Sequence, residues 1–266
     1  MDDGNEGGSI GARPAEPDVE IVPFNSVRRR TAAHMVASKS ISAHTFCAIE
    51  VDYAHVESAR SLRRFTYLPF VTSAVASALR IFPHVNASVV EDSLHVHRAI
   101  NLGIAVNTGN GLVVPVVHNA DTLHVAAIAE RIADLATRAR AKKLTLDDMA
   151  GGTFTITNPG PFGSLVSAPI INQPQVAILS TDAVARRPAV LDAGGPGEVV
   201  SVRPIGNLSL SFDHRAFDGA YATAFLRQVK LLLEDADWVA RALRAPSGQR
   251  SPGHQVMPPP GTSDVQ

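Results

Sequence analysis

An α/β domain is the fold class this sequence predicts, and four observations carry the prediction. Leu208, Leu210 and Phe212 alternate with Asn207, Ser209, Ser211 and Asp213, the period-two pattern of a strand with one apolar face. After a short turn, Tyr221, Ala224, Phe225, Val229, Leu232 and Leu233 recur at helical spacing. The continuous apolar run 176–179 reads as a central buried strand, and Val71, Val75, Ala78 and Leu79 mark an amphipathic helix over 69–81 that Phe82-Pro83 stops.

Composition bounds the rest. The 266 residues are 45% hydrophobic and 18% charged, enough for one large α/β core. A net charge of -1 supplies no bulk field for nucleic acid or an anionic membrane, so neither is expected as a partner. No apolar run approaches the roughly 20 residues of a membrane helix, and the acidic, Gly-rich start has no secretory apolar segment. Cys47 excludes an intrachain disulfide and leaves a cytoplasmic setting as the default. Lying in an apolar strand-like run, it reads as a buried structural cysteine and not as a nucleophile.

In chain order, residues 1–20 hold too few aliphatics to offset the entropy of ordering and are expected to be a flexible tail or linker remnant. Arg28, Arg29 and Arg30 open a helix to about residue 40. Three adjacent arginines point in different directions on a helix, which reads as a solvated or salt-bridged face. Residues 45–52 read as a strand, followed by a short helix through Arg60. His95 and His97 fall on one strand face and, without further ligands at suitable spacing, read as exposed strand histidines; no metal site is expected. Residues 102–106 and 112–117 form two apolar strands around a turn at 107–111, with Pro115 marking an edge or a bulge. The glycines of that turn sit between strands, so a dinucleotide-binding loop fails on context.

Asp121 is expected to cap a helix whose buried stripe is Ile128, Ile132, Leu135 and Ala136, and the basic cluster Arg138, Arg140, Lys142 and Lys143 suits its C-terminal dipole. Thr145-Leu146-Asp147-Asp148 has capping-box-like spacing. Over 153–157 three threonines share one face and Phe154 and Ile156 the other, the pattern of a half-exposed strand. Residues 186–204, with Gly194-Gly195-Pro196-Gly197 in their middle, read as a hairpin or an excursion before the strand that ends at His214. Residues 246–266, rich in Pro, Gly and Ser, are expected to be a second flexible tail.

The strand over 207–213 runs into His214-Arg215-Ala216-Phe217-Asp218-Gly219, where the next helix begins. An imidazole at the open end of a sheet can meet a substrate without being sealed in the core. By spacing alone His214 is open to two readings, a catalytic base or a hydrogen-bonded strand-end histidine. Asp218 stands where a helix N-cap belongs.

The segment Asp213-His214-Arg215-Ala216-Phe217-Asp218-Gly219-Ala220 resembles the DHRxxDGA signature of the acyltransferase (E2) components of 2-oxo acid dehydrogenase complexes. Two further stretches match the same family in order: Asn101-Leu102-Gly103-Ile104-Ala105-Val106 running on to Gly111-Leu112-Val113-Val114-Pro115-Val116, and Gly151-Gly152-Thr153-Phe154-Thr155-Ile156-Thr157-Asn158. The resemblance covers about residues 21–240 and makes 21–245 an expected acyltransferase catalytic domain. It implies a mixed sheet flanked by helices, the chloramphenicol acetyltransferase-like fold, and acyl transfer between a dihydrolipoyl thiol and coenzyme A.

By the same resemblance His214 is the general base, Thr157 supplies a hydroxyl to the thioester oxyanion where many members have serine, and Asp218 rigidifies the turn with Arg28 as partner. A thiol with a pKa of about 8.5 needs a base that works near neutrality, which suits imidazole. Arg60, Thr66, Asn107 and Asn158 match positions that contact coenzyme A. Asn107 stands where many relatives have aspartate, and the segment between Arg60 and Thr66 is shorter than in several of them. His44 falls near the channel, with packing as its expected role.

The family forms trimers with the site between two subunits, so His214 is expected from one chain and Thr157 from its neighbour. The polar end after Trp238-Val239-Ala240-Arg241-Ala242-Leu243-Arg244 favours a homotrimer over a cage. No lipoyl or subunit-binding domain is found before residue 21. The expected reading is an excised core served by a lipoyl carrier domain and the other complex components, or a stand-alone acyltransferase with a separate carrier. A catalytically silent structural core is the alternative of another class, and a drug-acetylating enzyme of the same fold a third reading.

Overall fold

The computed structural model describes residues 19–109 and 111–244. The expected tails over 1–20 and 246–266 lie outside the described residues, Val19 and Glu20 excepted, as does Asn110 of the predicted turn.

The chain opens on α1 (Ser26–Ile41), where the Asn25 side chain accepts from the Arg28 N–H at 2.8 Å. Next come β1 (His44–Asp52), α2 (Ala54–Arg63), which runs past Arg60, and α3 (Leu68–Ile81), which stops at Phe82-Pro83. β2 (Ala87–Val90) and β3 (Ser93–Val96) form a separate two-stranded ribbon. His95 is exposed on β3. His97 falls just beyond the strand, half-buried, with Nε2 3.0 Å from the Ser88 hydroxyl, so the two histidines do not share an exposed face. Burial and the neighbouring His95 push the His97 pKa down.

The predicted strand pair over 102–117 is broken in two. β4 (Leu102–Ile104) and β7 (Val116–Val117) join the large sheet, whereas β5 (Val106–Thr108) and β6 (Gly111–Val113) pair only with each other. Pro115 sits at the break: it has no N–H to extend the ladder, but its carbonyl accepts from the Ile104 N–H at 2.8 Å. The edge position of β7 accords with this.

α4 (Val125–Arg140) buries Ile128 and Leu135 as its periodicity predicts. Its N-cap is His124, whose Nδ1 accepts from the Ala127 N–H at 3.1 Å, and not Asp121. Asp121 lies in a preceding 3-10 turn and pairs with Arg80. At the other end of α4, Arg138 pairs with Asp134 and Asp148 and does not act as a free cation on the helix dipole. The capping-box spacing holds: the Thr145 N–H donates to Asp148 at 2.7 Å, and the Asp148 N–H donates back to the Thr145 hydroxyl at 3.2 Å.

β8 (Phe154–Thr157), β9 (Ala177–Thr181), β10 (Ala185–Leu191), β11 (Val199–Asp213), α5 (Gly219–Glu234) and α6 (Ala236–Ala242) complete the chain. The hairpin and the strand into His214 are one element, because β11 pairs with β10 over its first half and with β1 and β9 over its second. The large sheet runs β1-β11-β9-β8-β4-β7, with β10 beside β11. β9, β8 and β4 are mutually parallel and the other pairings antiparallel, which makes the expected mixed sheet.

One face of the sheet packs on helices. Phe154 lies 6.0 Å from Phe225 of α5, and Phe82, at the end of α3, lies 6.1 Å from the same ring. The other face carries the threonines, and it is covered, contrary to the half-exposed reading. Thr155 is 1% exposed and donates to Gln175 Oε1 at 2.6 Å. The segment 158–176 crosses this face and is tied to α1 through the Ser38 hydroxyl, which donates to the Ile171 carbonyl at 2.6 Å. At Gly103 on β4 a Cβ would stand 2.7 Å from Val114 Cγ1 and 3.2 Å from the Thr155 hydroxyl, a close approach that favours glycine. Among the described residues no helix is long and apolar enough to cross a membrane.

Candidate active site

His214 follows the last residue of β11, and three features fix its backbone. Its N–H donates to the Ala43 carbonyl at 2.9 Å, which ties the turn to the end of α1. Asp213, 1% exposed, accepts from the Ala43 N–H at 3.2 Å, from the Arg215 N–H at 3.0 Å and from the Arg215 guanidinium at 2.7 Å. Phe217 folds back to stack on Phe212, with centroids 5.0 Å apart and planes 13° from parallel. The His214 ring is exposed, lies 5.8 Å from the Phe212 ring, and among the described residues its nitrogens have no hydrogen-bond partner. A free imidazole on a rigid turn is chemically available as a base.

Burial by itself raises the Asp213 pKa, but the hydrogen bonds from Arg215 outweigh it and hold the carboxyl below its usual range. Asp218 is the N-cap of α5, accepting from the Tyr221 N–H at 2.8 Å. The expected Arg28–Asp218 pair is not formed. The end of α1 that meets the His214 turn is its C-terminal end, at Ser42 and Ala43. Arg28 begins that helix, about 21 Å away at 1.5 Å per residue.

Thr157 ends β8, and its hydroxyl has no partner among the described residues. The register sets its relation to His214: Thr157 lies opposite Ser180, and Ser180 opposite Ser209 on β11. His214 is five residues further along β11, so strand rise and strand spacing put the two residues about 19 Å apart within one chain. They stand at opposite ends of the sheet.

A cavity of about 310 Å³ opens at the Thr157 end, lined among others by Arg60, Thr66, Tyr67, Asn158 and Asp182. It brings together three of the four residues expected to hold coenzyme A. Asn107 is not among them: it is exposed on β5, which left the large sheet at Ala105. Arg60 is held by Glu57, with Nε 2.7 Å from a carboxylate oxygen, and lies 4.2 Å over the Tyr67 ring. The Tyr67 hydroxyl donates to Glu57 as well. Burial opposes the Glu57 charge, but the bonds from Tyr67 and Arg60 outweigh it and keep the carboxyl below its usual range. A larger cavity, about 520 Å³ between α1 and the threonine face, contains none of the predicted site residues.

Several residues at the site escape sequence reasoning. Asp213 reads only as the polar phase of a strand, and its role depends on Ala43, 170 positions away. His44 is a structural acceptor, as its expected packing role implies: Nε2 accepts from the Ile171 N–H at 3.1 Å while Nδ1 meets the Ser42 carbonyl. Tyr67 and Glu57, which aim Arg60, flank it at i+7 and i-3, and only the second spacing is a helical signal. Cys47 is half-buried against the core, and burial pushes its thiol up to about 11, so it stays protonated.

Comparison with known proteins adds the lineage. Residues 16–240 match the family model for 2-oxoacid dehydrogenases acyltransferase (catalytic domain). The lipoamide acyltransferase component of a branched-chain alpha-keto acid dehydrogenase complex from Bacillus subtilis is 40% identical over 81% of this chain and 52% of its own length. A dihydrolipoyllysine-residue succinyltransferase component from Haemophilus influenzae is 41% identical over 80% of this chain and 54% of its own. The chain thus spans about half the length of these curated relatives. Among solved structures, a probable dihydrolipoamide acetyltransferase from Listeria monocytogenes superposes with a TM-score of 0.76 at 38% identity, covering 82% of this chain and 96% of that one. Chloramphenicol acetyltransferase, at 11% identity and a TM-score of 0.51 over 76% of this chain and 94% of its own, shares the fold alone.

Proposed function

Because this chain belongs to the 2-oxoacid dehydrogenases acyltransferase (catalytic domain) family, we propose that it transfers an acyl group between a dihydrolipoyl thiol and coenzyme A, with His214 as general base. The imidazole takes the proton of the attacking thiol as its sulfur adds to the thioester carbon. The thioester oxygen becomes an oxyanion, which a Thr157 hydroxyl stabilises. Collapse breaks the old C–S bond, and the departing sulfur recovers the proton from the imidazolium. Asp218 acts by capping α5 and so fixing the turn.

The single observation that carries this reading is a sheet-end histidine whose backbone is locked on both sides while its ring stays free. The cavity with Arg60, Thr66 and Asn158 supports a coenzyme A site there, since it offers a guanidinium for phosphate and an amide for the pantetheine arm. Its volume falls at the low end of the roughly 300–1,000 Å³ of ligand pockets and suits one part of that cofactor. The separation of Thr157 from His214 along the register supports a site shared between protomers of a homotrimer, His214 from one and Thr157 from the next. The lipoyl arm then comes from a carrier domain of a 2-oxo acid dehydrogenase complex, in a cytoplasmic setting, and residues 21–245 form the catalytic unit.

Relatives acting on branched-chain and on succinyl groups match this chain almost equally, so identity does not select the acyl group. The test is acyl exchange between acyl-CoA donors and dihydrolipoamide. The natural chain is expected to exchange at least one short acyl group, and His214→Ala to lose about 10²–10⁴-fold in kcat. Equal rates for the two chains would remove His214 from the mechanism, and no exchange with any donor would favour a structural core.

A further inference from the structure

Asp182 follows β9 on the floor of the 310 Å³ cavity, and nothing in its sequence context singles it out. It is 3% exposed, yet among the described residues no cation pairs with it. Its charge is met by neutral donors alone. Oδ1 accepts from the Ser164 and Ser167 hydroxyls, both at 2.7 Å, and Oδ2 from the Ser167 N–H at 3.3 Å and the Ser209 hydroxyl at 3.2 Å. A carboxylate has about four lone-pair sites, and all are used here.

Three of those donors belong to one short segment, 164–167. That segment continues directly from the turn at Gly160–Phe162, which with Asn158 forms a wall of the cavity. Apolar packing within the chain does not hold it: Phe162 is 79% exposed, Leu165 58% and Val166 47%. Polar ties hold it instead. Besides the carboxylate, the Ala183 N–H donates to the Ser164 carbonyl at 2.9 Å and Asn207 Nδ2 to the Leu165 carbonyl at 2.9 Å. At Gly160 the wall meets the floor so closely that a Cβ would stand 2.8 Å from the Asp182 carbonyl oxygen.

We infer that Asp182 is a positioning residue for the cofactor cavity: its buried carboxylate clamps the 158–167 wall to the sheet and so sets the width of the slot that receives coenzyme A. The inference rests on the coenzyme A reading of that cavity. The residue touches no reacting atom, so its loss should act on binding and not on the chemical step.

The test uses the full chain, with coenzyme A binding measured by calorimetry, exchange kinetics at saturating and limiting coenzyme A, and amide hydrogen exchange over 160–167. Asp182→Ala is expected to raise Kd and KM for coenzyme A about tenfold or more with kcat within about twofold, and to speed exchange at the Ser167 and Ala183 amides. Asp182→Asn keeps an oxygen for the two serine hydroxyls but turns a donor toward the Ser167 N–H, and its KM for coenzyme A is expected to fall between those of the natural chain and Asp182→Ala. Should Asp182→Ala fail to fold, the Ser164→Ala, Ser167→Ala pair must give the same rise in KM. A natural chain that binds coenzyme A, with Asp182→Ala or the serine pair binding it equally well, overturns the inference. A natural chain that binds none overturns the coenzyme A reading, and the inference with it.

Discussion

At the scale of single residues, Asp213 and His214 divide the work of one turn. Asp213 is buried and saturated with hydrogen bonds; His214 is exposed and has none to its ring. Replacing Asp213 by Asn keeps the shape but loses the charge that binds the Arg215 guanidinium, itself 42% exposed and therefore screened. The expected cost is about 1–3 kcal/mol at pH 7, with a fall in kcat as the His214 turn loosens. The folded carboxyl is held below its usual range, so its contribution is complete above about pH 4 and is lost as pH falls through the lowered folded value. Urea melts of the two chains should therefore differ at neutral pH and converge in acid. A gap that widens in acid would contradict the assignment.

At the scale of elements, α1 matters through its C-terminal end. Only Ser38 of this helix is buried, yet it holds the Ile171 carbonyl, and His44 just beyond holds the Ile171 N–H. One fully buried residue of the long crossover is thus gripped on both backbone groups by the segment that also accepts from the His214 N–H. His44→Ala leaves the Ile171 N–H unpaired in a dry site, at an expected cost of about 1–3 kcal/mol. The check is a lower urea midpoint at unchanged m-value. His44→Gln, which restores an acceptor, should recover part of the loss.

At the scale of the whole molecule, the sheet separates the two catalytic candidates. Thr157 and the cavity stand at one end and His214 at the other, so one chain does not bring the two together. If protomers complete each other, His214→Ala and Thr157→Val chains, each impaired alone, should recover activity when unfolded together and reassembled. Random mixing gives a complete His and Thr pair at about a quarter of the interfaces, so about a quarter of natural activity is the expected ceiling. Sedimentation should report a trimer. Recovery no greater than the sum of the separate variants would mean that each site lies within one chain.

Local signals carry a good part of this protein. The period-two run into His214, the stripe of α5, the stop at Phe82-Pro83, the capping pair Thr145–Asp148 and the break at Pro115 all arise within a few residues, where side-chain spacing and backbone sterics act without help from the rest of the chain. What needed tertiary structure was every relation across the sheet. Asp213 meets Ala43, Ile171 meets His44, the threonine face of β8 is covered by the segment 158–176, Arg28 ends up a helix length from the end of α1 that meets the His214 turn, and Asn107 leaves the sheet before the cavity forms. Such contacts depend on strand order and register, which form only when distant segments pair, and no periodicity along the chain records which strand will be the neighbour.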